Sequence, residues 1–177
     1  MEWTTELRYK RYEDWTEEEK KQIKENVAKS PWHTHYHVEP TSGLLNDPNG
    51  FSYFDGKWIL FYQNFPFGAA HGLKSWVQLE SDDLVHFNET GVKVLPDTPL
   101  DSHGAYSGSA MQFDDKLFLF YTGNVRDENW IRHPYQVGAL MDKEGKIEKI
   151  DKILIDQPAD STDHFRDPQI FIFKDQY

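Results

Sequence analysis

Two aspartates, each followed by a proline and then by an apolar run, are the first residues in this chain that suggest chemistry. Asp47 lies in an Asn-Asp-Pro-Asn-Gly segment (residues 46–50), and Asp167 lies in Phe-Arg-Asp-Pro (residues 165–168). Proline disfavours the helical conformation in the residue before it, so each carboxylate is expected in an extended segment at the start of a strand. If the fold brings them together, the pair is a candidate active site.

The first of these segments has a second interpretation. Asn-Asp-Pro-Asn-Gly also favours a type I β-turn, because proline follows the aspartate and glycine closes the turn. Taken alone, the turn is the more common outcome. The second Asp-Pro, 120 positions later and again before an apolar run (residues 170–173), favours the functional interpretation.

An internal repeat indicates how the chain could position both carboxylates. Residues 51–62 align with residues 110–121, and residues 170–177 begin a third copy, so that Phe54, Phe113 and Phe173 are 59 and 60 positions apart. Several short strands at a fixed period predict the blades of a β-propeller, with four strands in each. The first strand of each blade lines the central channel. Asp47 and Asp167 precede the first strands of two blades and are expected to meet at one mouth of that channel.

The strands of this all-β fold are predicted from short apolar runs between turn residues. Asp55-Gly56 and Glu144-Gly145 are hairpin signals. The runs at residues 58–62 and 117–121 do not alternate, which predicts burial on both faces. The predicted strands are 51–54, 58–62, 75–79, 110–113, 117–121, 135–141, 146–150 and 170–173. Thr16 and Glu19 form a capping-box pattern that predicts a short N-terminal helix, Glu17–Ala28. We expect a lead-in at 1–30 and an incomplete propeller at 31–177.

Composition limits the possible partners. The 177 residues suit one domain or part of one, and the net charge of −11 disfavours nucleic acid and anionic membranes. The first residues carry neither a basic nor an apolar segment of the kind found in signal peptides, and no apolar run approaches the roughly 18 residues of a membrane span. With no cysteine present, these features favour a cytoplasmic protein.

Three alternating histidines, His33, His35 and His37, raise the possibility of a metal site. Alternate side chains of an extended segment point the same way, so two imidazoles could share an ion. A catalytic zinc site needs a third protein ligand and an open position, which this segment does not supply. We therefore expect no metal and no cofactor.

The motifs taken together resemble family 32 of the glycoside hydrolases, the β-fructofuranosidases. The resemblance is carried, in the order and spacing of the family, by residues 36–37, 43–50, 60–63, 106–109, 119–124 and 165–168. Residues 122–128 resemble the bacterial sucrose-6-phosphate hydrolase branch in particular. The resemblance implies a five-bladed propeller followed by a β-sandwich, of which this chain would cover about two and a half blades. The missing C-terminal blades and the sandwich of the same protein would then be its structural partners.

The resemblance also implies roles for individual residues. Asp47 would be the nucleophile of a retaining reaction on a terminal fructosyl unit of sucrose or sucrose 6-phosphate. Asp167 would bind fructose hydroxyls and stabilise positive charge, and the adjacent Arg166 would favour its ionised form. Other residues expected to contact the sugar are Leu45, Asn46, Gln63, His71, Tyr106, Ser107 and Arg166. The general acid/base of the family is a glutamate in a Glu-Cys pair, which this sequence lacks, so the chain alone is expected to be inactive.

Two other functions remain open from the sequence. A non-catalytic carbohydrate-binding propeller would also be rich in aromatic residues. A related fructosyltransferase or arabinanase would share the inner-strand carboxylates. If the substrate carries a phosphate, Lys74, Arg126 and Arg132 are the basic residues considered for binding it.

Overall fold

The computed structural model describes residues 2–174 and 176. Two short helices and a single 3-10 turn (Tyr12–Asp14) precede eight strands. The helices are α1 (Thr5–Arg8) and α2 (Glu17–Ala28). The strands are β1 (Leu44–Phe54), β2 (Lys57–Phe65), β3 (Ser75–Ser81), β4 (Asn88–Val94), β5 (Ala105–Phe113), β6 (Lys116–Arg126), β7 (Arg132–Met141) and β8 (Ile147–Lys149).

The strands form two four-stranded antiparallel sheets that have the same topology. The first has the order β1-β2-β3-β4 and the second β5-β6-β7-β8. The β1–β2 hairpin turns at Asp55-Gly56, as predicted, and Asp114 occupies the same place in the β5–β6 hairpin. Both aspartates have a positive φ, 47° and 52°. The predicted all-β fold, with one sheet for each copy of the repeat, is confirmed.

The core lies between the two sheets. Residues from β2 and β3 pack against residues from β6 and β7, and Trp76 lies at the centre with no exposed surface. Its ring is 5.5 Å from that of Phe61 and 5.7 Å from that of Tyr121. Fully burying an aromatic side chain of this kind contributes about 1.5–3 kcal/mol, so this interface holds the sheets face to face.

The prediction of strands buried on both faces is wrong for β6. Leu117, Leu119 and Tyr121 are buried against the first sheet, whereas Phe118 and Phe120 are only partly buried on the opposite face. That face has no third sheet upon it in the described part of the chain.

The strand predicted at residues 170–173 does not form, because no neighbouring strand accepts its hydrogen bonds. Phe173 pairs only with Gln176, across a turn that contains Lys174 with a φ of 50°. The third copy of the repeat thus begins its hairpin as the first two do. Asp175 and Tyr177 of that copy lie outside the described residues.

Strand β4 is absent from the sequence-based prediction. Its residues are mostly polar and exposed, as is usual at the edge of a sheet, so no apolar run marks it. The inner strands β1 and β5 also begin several residues earlier than predicted, and this extension contains the candidate site.

The N-terminal segment packs on the first sheet. Helix α2 has the predicted capping box at Thr16 and Glu19. Trp15 stacks on Phe67 with ring centroids 4.3 Å apart. The amide of Leu73 donates to the carbonyl of Arg8 at 2.7 Å, which places α1 beside the loop before β3. At 12 polar-rich residues, α2 is the longest described helix, and no helix among the described residues could cross a membrane.

Candidate functional site

Asp47 lies at a bulge in strand β1. The pairing of β1 with β2 skips from Leu45 to Pro48, so Asp47 has no partner in the ladder. A bulge of this kind redirects the side chain of the extra residue. Since residues 46–50 are part of β1, the β-turn interpretation of this segment is wrong.

The same bulge recurs in strand β5. The pairing of β5 with β6 skips from Ala105 to Gly108, which leaves Ser107 in the position equivalent to Asp47. Ser107 is 60 positions after Asp47, and Asp167 is 60 positions after Ser107. Asp47 and Ser107 therefore share one structural position, and Asp167 follows at the same spacing in the third copy of the repeat.

Two buried side chains orient the carboxylate of Asp47. The hydroxyl of Ser107 donates to Asp47 Oδ2 at 2.7 Å, and the amide Nε2 of Gln63 donates to the same hydroxyl at 3.2 Å. Gln63 and Ser107 are buried, so this chain of donors is shielded from water. A hydrogen bond to a carboxylate is stronger than one between neutral groups, so this contact fixes the orientation of the Asp47 side chain.

Two polar residues one repeat apart connect successive copies of the repeat. Asn49 accepts from the amide of Gly108 at 3.1 Å and donates to the carbonyl of Asp47 at 3.1 Å. Ser109, 60 positions later, donates to the carbonyl of Pro168 at 3.0 Å and accepts from the amide of Ile170 at 2.9 Å. These bonds fix the backbone on both sides of the candidate site.

Asp167 is held in a left-handed backbone conformation, with a φ of 63°. Its amide donates to the buried hydroxyl of Thr122 at 2.9 Å. Partial burial raises the pKa of Asp167, and the negative charge of Asp47 raises it further, while the Arg166 guanidinium, 3.6 Å away, lowers it. Arg166 acts in the predicted direction, but burial outweighs it and the net shift is upward.

Lys74 supplies a buried positive charge near both carboxylates. Its ammonium lies 3.0 Å from Nδ1 of His71. Burial lowers the pKa of Lys74 to about 8, although Asp47 and Asp167 act in the opposite direction. The charge of Lys74 in turn lowers the pKa of His71, so this imidazole is disposed to remain neutral.

A cavity of about 440 Å³ brings most of the predicted site residues together. Those that line it are Asn46, Asp47, Gln63, His71, Tyr106 and Arg166, and the basic candidates Lys74, Arg126 and Arg132 line it too. Ser107 and Asp167 are not among its lining residues, although Ser107 bonds to Asp47 and Asp167 lies close enough for its charge to interact with that of Asp47. Sequence reasoning missed four further lining residues: Arg8, Tyr9, Trp130 and His164. Arg8 and Tyr9 come from the N-terminal segment, and nothing in their local sequence signals a contact with the propeller.

Leu45 and the histidine string lie elsewhere. Leu45 packs beside the core residues Tyr62, Val77 and Leu79 rather than in the cavity. The ring nitrogens of His33 lie 2.8 Å from the Glu39 carboxylate and 2.9 Å from the carbonyl of Val27. Among residues 2–174 and 176, no group of three potential ligands is placed to hold a metal ion.

Comparison with known proteins identifies related sequences. Residues 37–177 match the sequence model of the glycosyl hydrolases family 32 N-terminal domain. The chain is 71% identical over 171 residues to the sucrose-6-phosphate hydrolase of Streptococcus mutans and 55% identical over 177 residues to that of Lactococcus lactis. These alignments cover 97% and 99% of this chain but only 36% and 37% of the relatives. The chain thus spans about a third of their length.

Solved structures give the same pattern of coverage. A sucrose-6-phosphate hydrolase from Lactobacillus gasseri superposes with a TM-score of 0.95 at 51% identity, over 98% of this chain and 36% of that one. A family 32 β-fructofuranosidase from Bombyx mori superposes with a TM-score of 0.74 at 31% identity, over 91% of this chain and 36% of that one.

Proposed function

Because the chain belongs to family 32 of the glycosyl hydrolases, we propose that it carries the nucleophile and the charge-stabilising carboxylate of a retaining β-fructofuranosidase. Its two sheets are two blades of the family's five-bladed propeller. We assign residues 1–30 to a lead-in and 31–177 to the N-terminal part of the propeller. Since the chain spans about a third of its relatives, the activity belongs to a protein of their length.

The arrangement of Asp47 is the observation that carries this proposal. Ser107 binds Oδ2 of Asp47, and we assign the attack to the other oxygen, Oδ1. In the first step Oδ1 forms a bond to the anomeric carbon of the fructosyl unit while the glycosidic C–O bond breaks. The leaving oxygen takes a proton from a general acid. In the second step water hydrolyses the ester, and the same acid, now a base, accepts the proton of the water.

Asp167 and its neighbours are suited to binding the sugar. The carboxylate of Asp167 can accept bonds from fructose hydroxyls and oppose the positive charge that develops at the anomeric carbon. The amide oxygen of Asn46 is buried and meets no donor among the described residues, so it is available to a sugar hydroxyl. The positive charges of Lys74 and Arg166 reduce the repulsion between the two carboxylates.

We assign the general acid to the part of the longer relatives that this chain does not span. A retaining mechanism requires it to lie about 5–5.5 Å from the nucleophile. We propose sucrose or sucrose 6-phosphate as the substrate, because the similar proteins named above are called sucrose-6-phosphate hydrolases. We propose a cytoplasmic location, which the absence of cysteine from these 177 residues favours.

Replacement of the nucleophile in the full-length protein tests this proposal. Asp47→Asn keeps the size of the side chain, removes its charge, and should lower kcat on sucrose or sucrose 6-phosphate by on the order of 10⁴-fold or more. Asp160→Asn, at an exposed position in the same chain, is the matched control and should leave kcat unchanged. Full activity in Asp47→Asn would contradict the proposal.

The identity and anomeric form of the first product separate the alternatives. A retaining hydrolase releases the β-anomer of fructose first, and water, not sugar, is the acceptor. Transfer of fructose to sucrose would favour a fructosyltransferase. Binding of fructosides without turnover by the full-length protein would favour a carbohydrate-binding propeller.

A further inference from the structure

Two arginines stand directly opposite each other where β6 and β7 meet. Arg126 pairs with Arg132 in the ladder, and both line the cavity that contains Asp47. Like charges directly opposite one another destabilise an antiparallel pair. In a chain with a net charge of −11, this concentration of positive charge indicates binding of an anion.

The arginines that line the cavity have N–H donors without an acceptor in the described part of the chain. The Nε–H groups of Arg8, Arg126 and Arg132 are buried and meet no acceptor among residues 2–174 and 176. Nη1 of Arg126 donates a hydrogen bond to the carbonyl of Trp130 at 2.7 Å. Arg132 lies 3.6 Å from the carboxylate of Asp163, which is beyond hydrogen-bond distance. Buried donors are nearly always paired, so three unpaired donors on side chains that line one cavity indicate a ligand.

Aromatic rings hold these guanidinium groups in place. Arg126 lies over the ring of Trp130 at 5.2 Å, and the rings of Trp130 and Tyr9 meet edge to face with their centroids 5.1 Å apart. Arg132 lies over the ring of Tyr106 at 5.7 Å. Tyr9 comes from the N-terminal segment, so that segment and the β6–β7 hairpin together form one rigid wall of the cavity.

We propose that Arg8, Arg126 and Arg132 form a subsite for a phosphate monoester on the leaving group of the substrate. The inference rests on the proposed hydrolysis. Guanidinium groups match phosphate oxygens in geometry and can donate two parallel hydrogen bonds to them.

The phosphate belongs on the leaving group because of the charges around the nucleophile. The fructosyl unit must reach Asp47. Asp167 lies close enough to Asp47 for the negative charge of one carboxylate to repel that of the other. A phosphate dianion on that unit would be repelled by both carboxylates. A phosphate on the glucosyl unit would lie farther from both carboxylates, and the three arginines line the same cavity as Asp47.

The test compares two substrates in the full-length protein. We expect Arg126→Met and Arg132→Met each to lower kcat/KM for sucrose phosphorylated on the glucosyl 6-hydroxyl at least about tenfold more than kcat/KM for sucrose, since each removes charge-assisted bonds to phosphate. Arg132→Lys should retain part of the preference, because the charge remains while the two-pronged geometry is lost. Lys143→Gln removes one charge from an exposed position outside the cavity and should leave both values unchanged.

Several results would overturn the subsite. Equal losses on both substrates in the two methionine variants, with unchanged melting temperatures, would show that the arginines serve the fold or the fructosyl unit instead. Fructose 6-phosphate and glucose 6-phosphate would be compared as inhibitors of sucrose hydrolysis. Stronger inhibition by fructose 6-phosphate would show that the phosphate binds with the fructosyl unit and not with the leaving group. Inhibition of sucrose hydrolysis by inorganic phosphate that persists in a variant carrying both Arg126→Met and Arg132→Met would show that the anion binds elsewhere. A wild-type protein that hydrolyses neither substrate would instead refute the proposed function.

Discussion

The hydroxyl of Thr122 holds Asp167 in the site, and its removal gives a prediction with a calculable size. Thr122 is fully buried; it accepts from the amide of Asp167 at 2.9 Å and donates to Oε1 of Gln136 at 2.6 Å. Gln136 in turn donates to the carbonyl of Phe165 at 2.9 Å. Thr122→Val keeps the shape of the side chain and removes both bonds, while Thr122→Ser keeps the hydroxyl.

The magnitude follows from the backbone conformation of Asp167. A left-handed conformation costs about 1–2 kcal/mol in a residue other than glycine. The bond from its amide to Thr122 contributes about 0.5–1.5 kcal/mol, enough to offset most of that cost. Without it, Asp167 is no longer favoured in the catalytic geometry. Because 1.4 kcal/mol corresponds to a factor of ten, we expect Thr122→Val to lower kcat/KM on sucrose by about two- to tenfold.

Two assays on the full-length protein check this prediction. Thr122→Val leaves two groups unpaired, at about 1–3 kcal/mol each, so urea unfolding should show a loss of about 2–6 kcal/mol. Thr122→Ser should stay close to wild type in kcat/KM and lose only the contribution of one methyl group in stability. A Thr122→Val variant that is destabilised but has wild-type kcat/KM would refute the positioning role.

Three further predictions concern neighbouring groups in the full-length protein. Ser107→Ala removes the donor to the nucleophile and should lower kcat/KM about ten- to a hundredfold, as expected for a hydrogen bond to a charged group of about 1.5–3 kcal/mol. Arg166→Met removes the charge that lowers the pKa of Asp167, so this carboxyl will protonate at higher pH and the acidic limb of the kcat profile should move to higher pH. Lys149→Met leaves the fully buried Asp101 without its cation and should lower the free energy of unfolding by about 3–5 kcal/mol.

Two of these predictions have a control variant, and the third has a result that would contradict it. Ser52→Ala removes a hydroxyl that bonds only locally to the carbonyl of Gly50 and should leave kcat/KM unchanged. Lys116→Met removes an exposed partner of Glu148 and should change stability by no more than about 1 kcal/mol. An acidic limb in Arg166→Met that coincides with that of the wild type would mean that Asp167 does not control it.

Local rules in the sequence predicted much of the fold. The capping box gave the bounds of helix α2, and the Asp-Gly hairpin between the first two strands formed where it was predicted. Such features depend on residues a few positions apart, so a single sequence displays them. Strand β4 was missed because an exposed polar edge has no apolar pattern, and residues 170–173 formed no strand because pairing depends on a partner distant in sequence.

The candidate site, like the fold, was predicted from the sequence only in part. The repeat predicted that Asp47 and Asp167 would be delivered by equivalent segments, and Ser107 occupies the same position in the copy between them. The bulge that presents Asp47 and Ser107 was not predicted, because skipped pairing is a property of two strands. Arg8 and Tyr9 could not be placed in the cavity from sequence, since they reach it only through the packing of the N-terminal segment on the first sheet.

Trapping the covalent intermediate tests the central claim most directly. The full-length protein would be denatured rapidly during turnover of sucrose, and its peptides would be analysed by mass spectrometry. We predict one fructosyl group esterified to Asp47 in the wild type and no such adduct in Asp47→Asn. An adduct on a different residue, or a first product of inverted configuration, would contradict the assignment of Asp47 as the nucleophile.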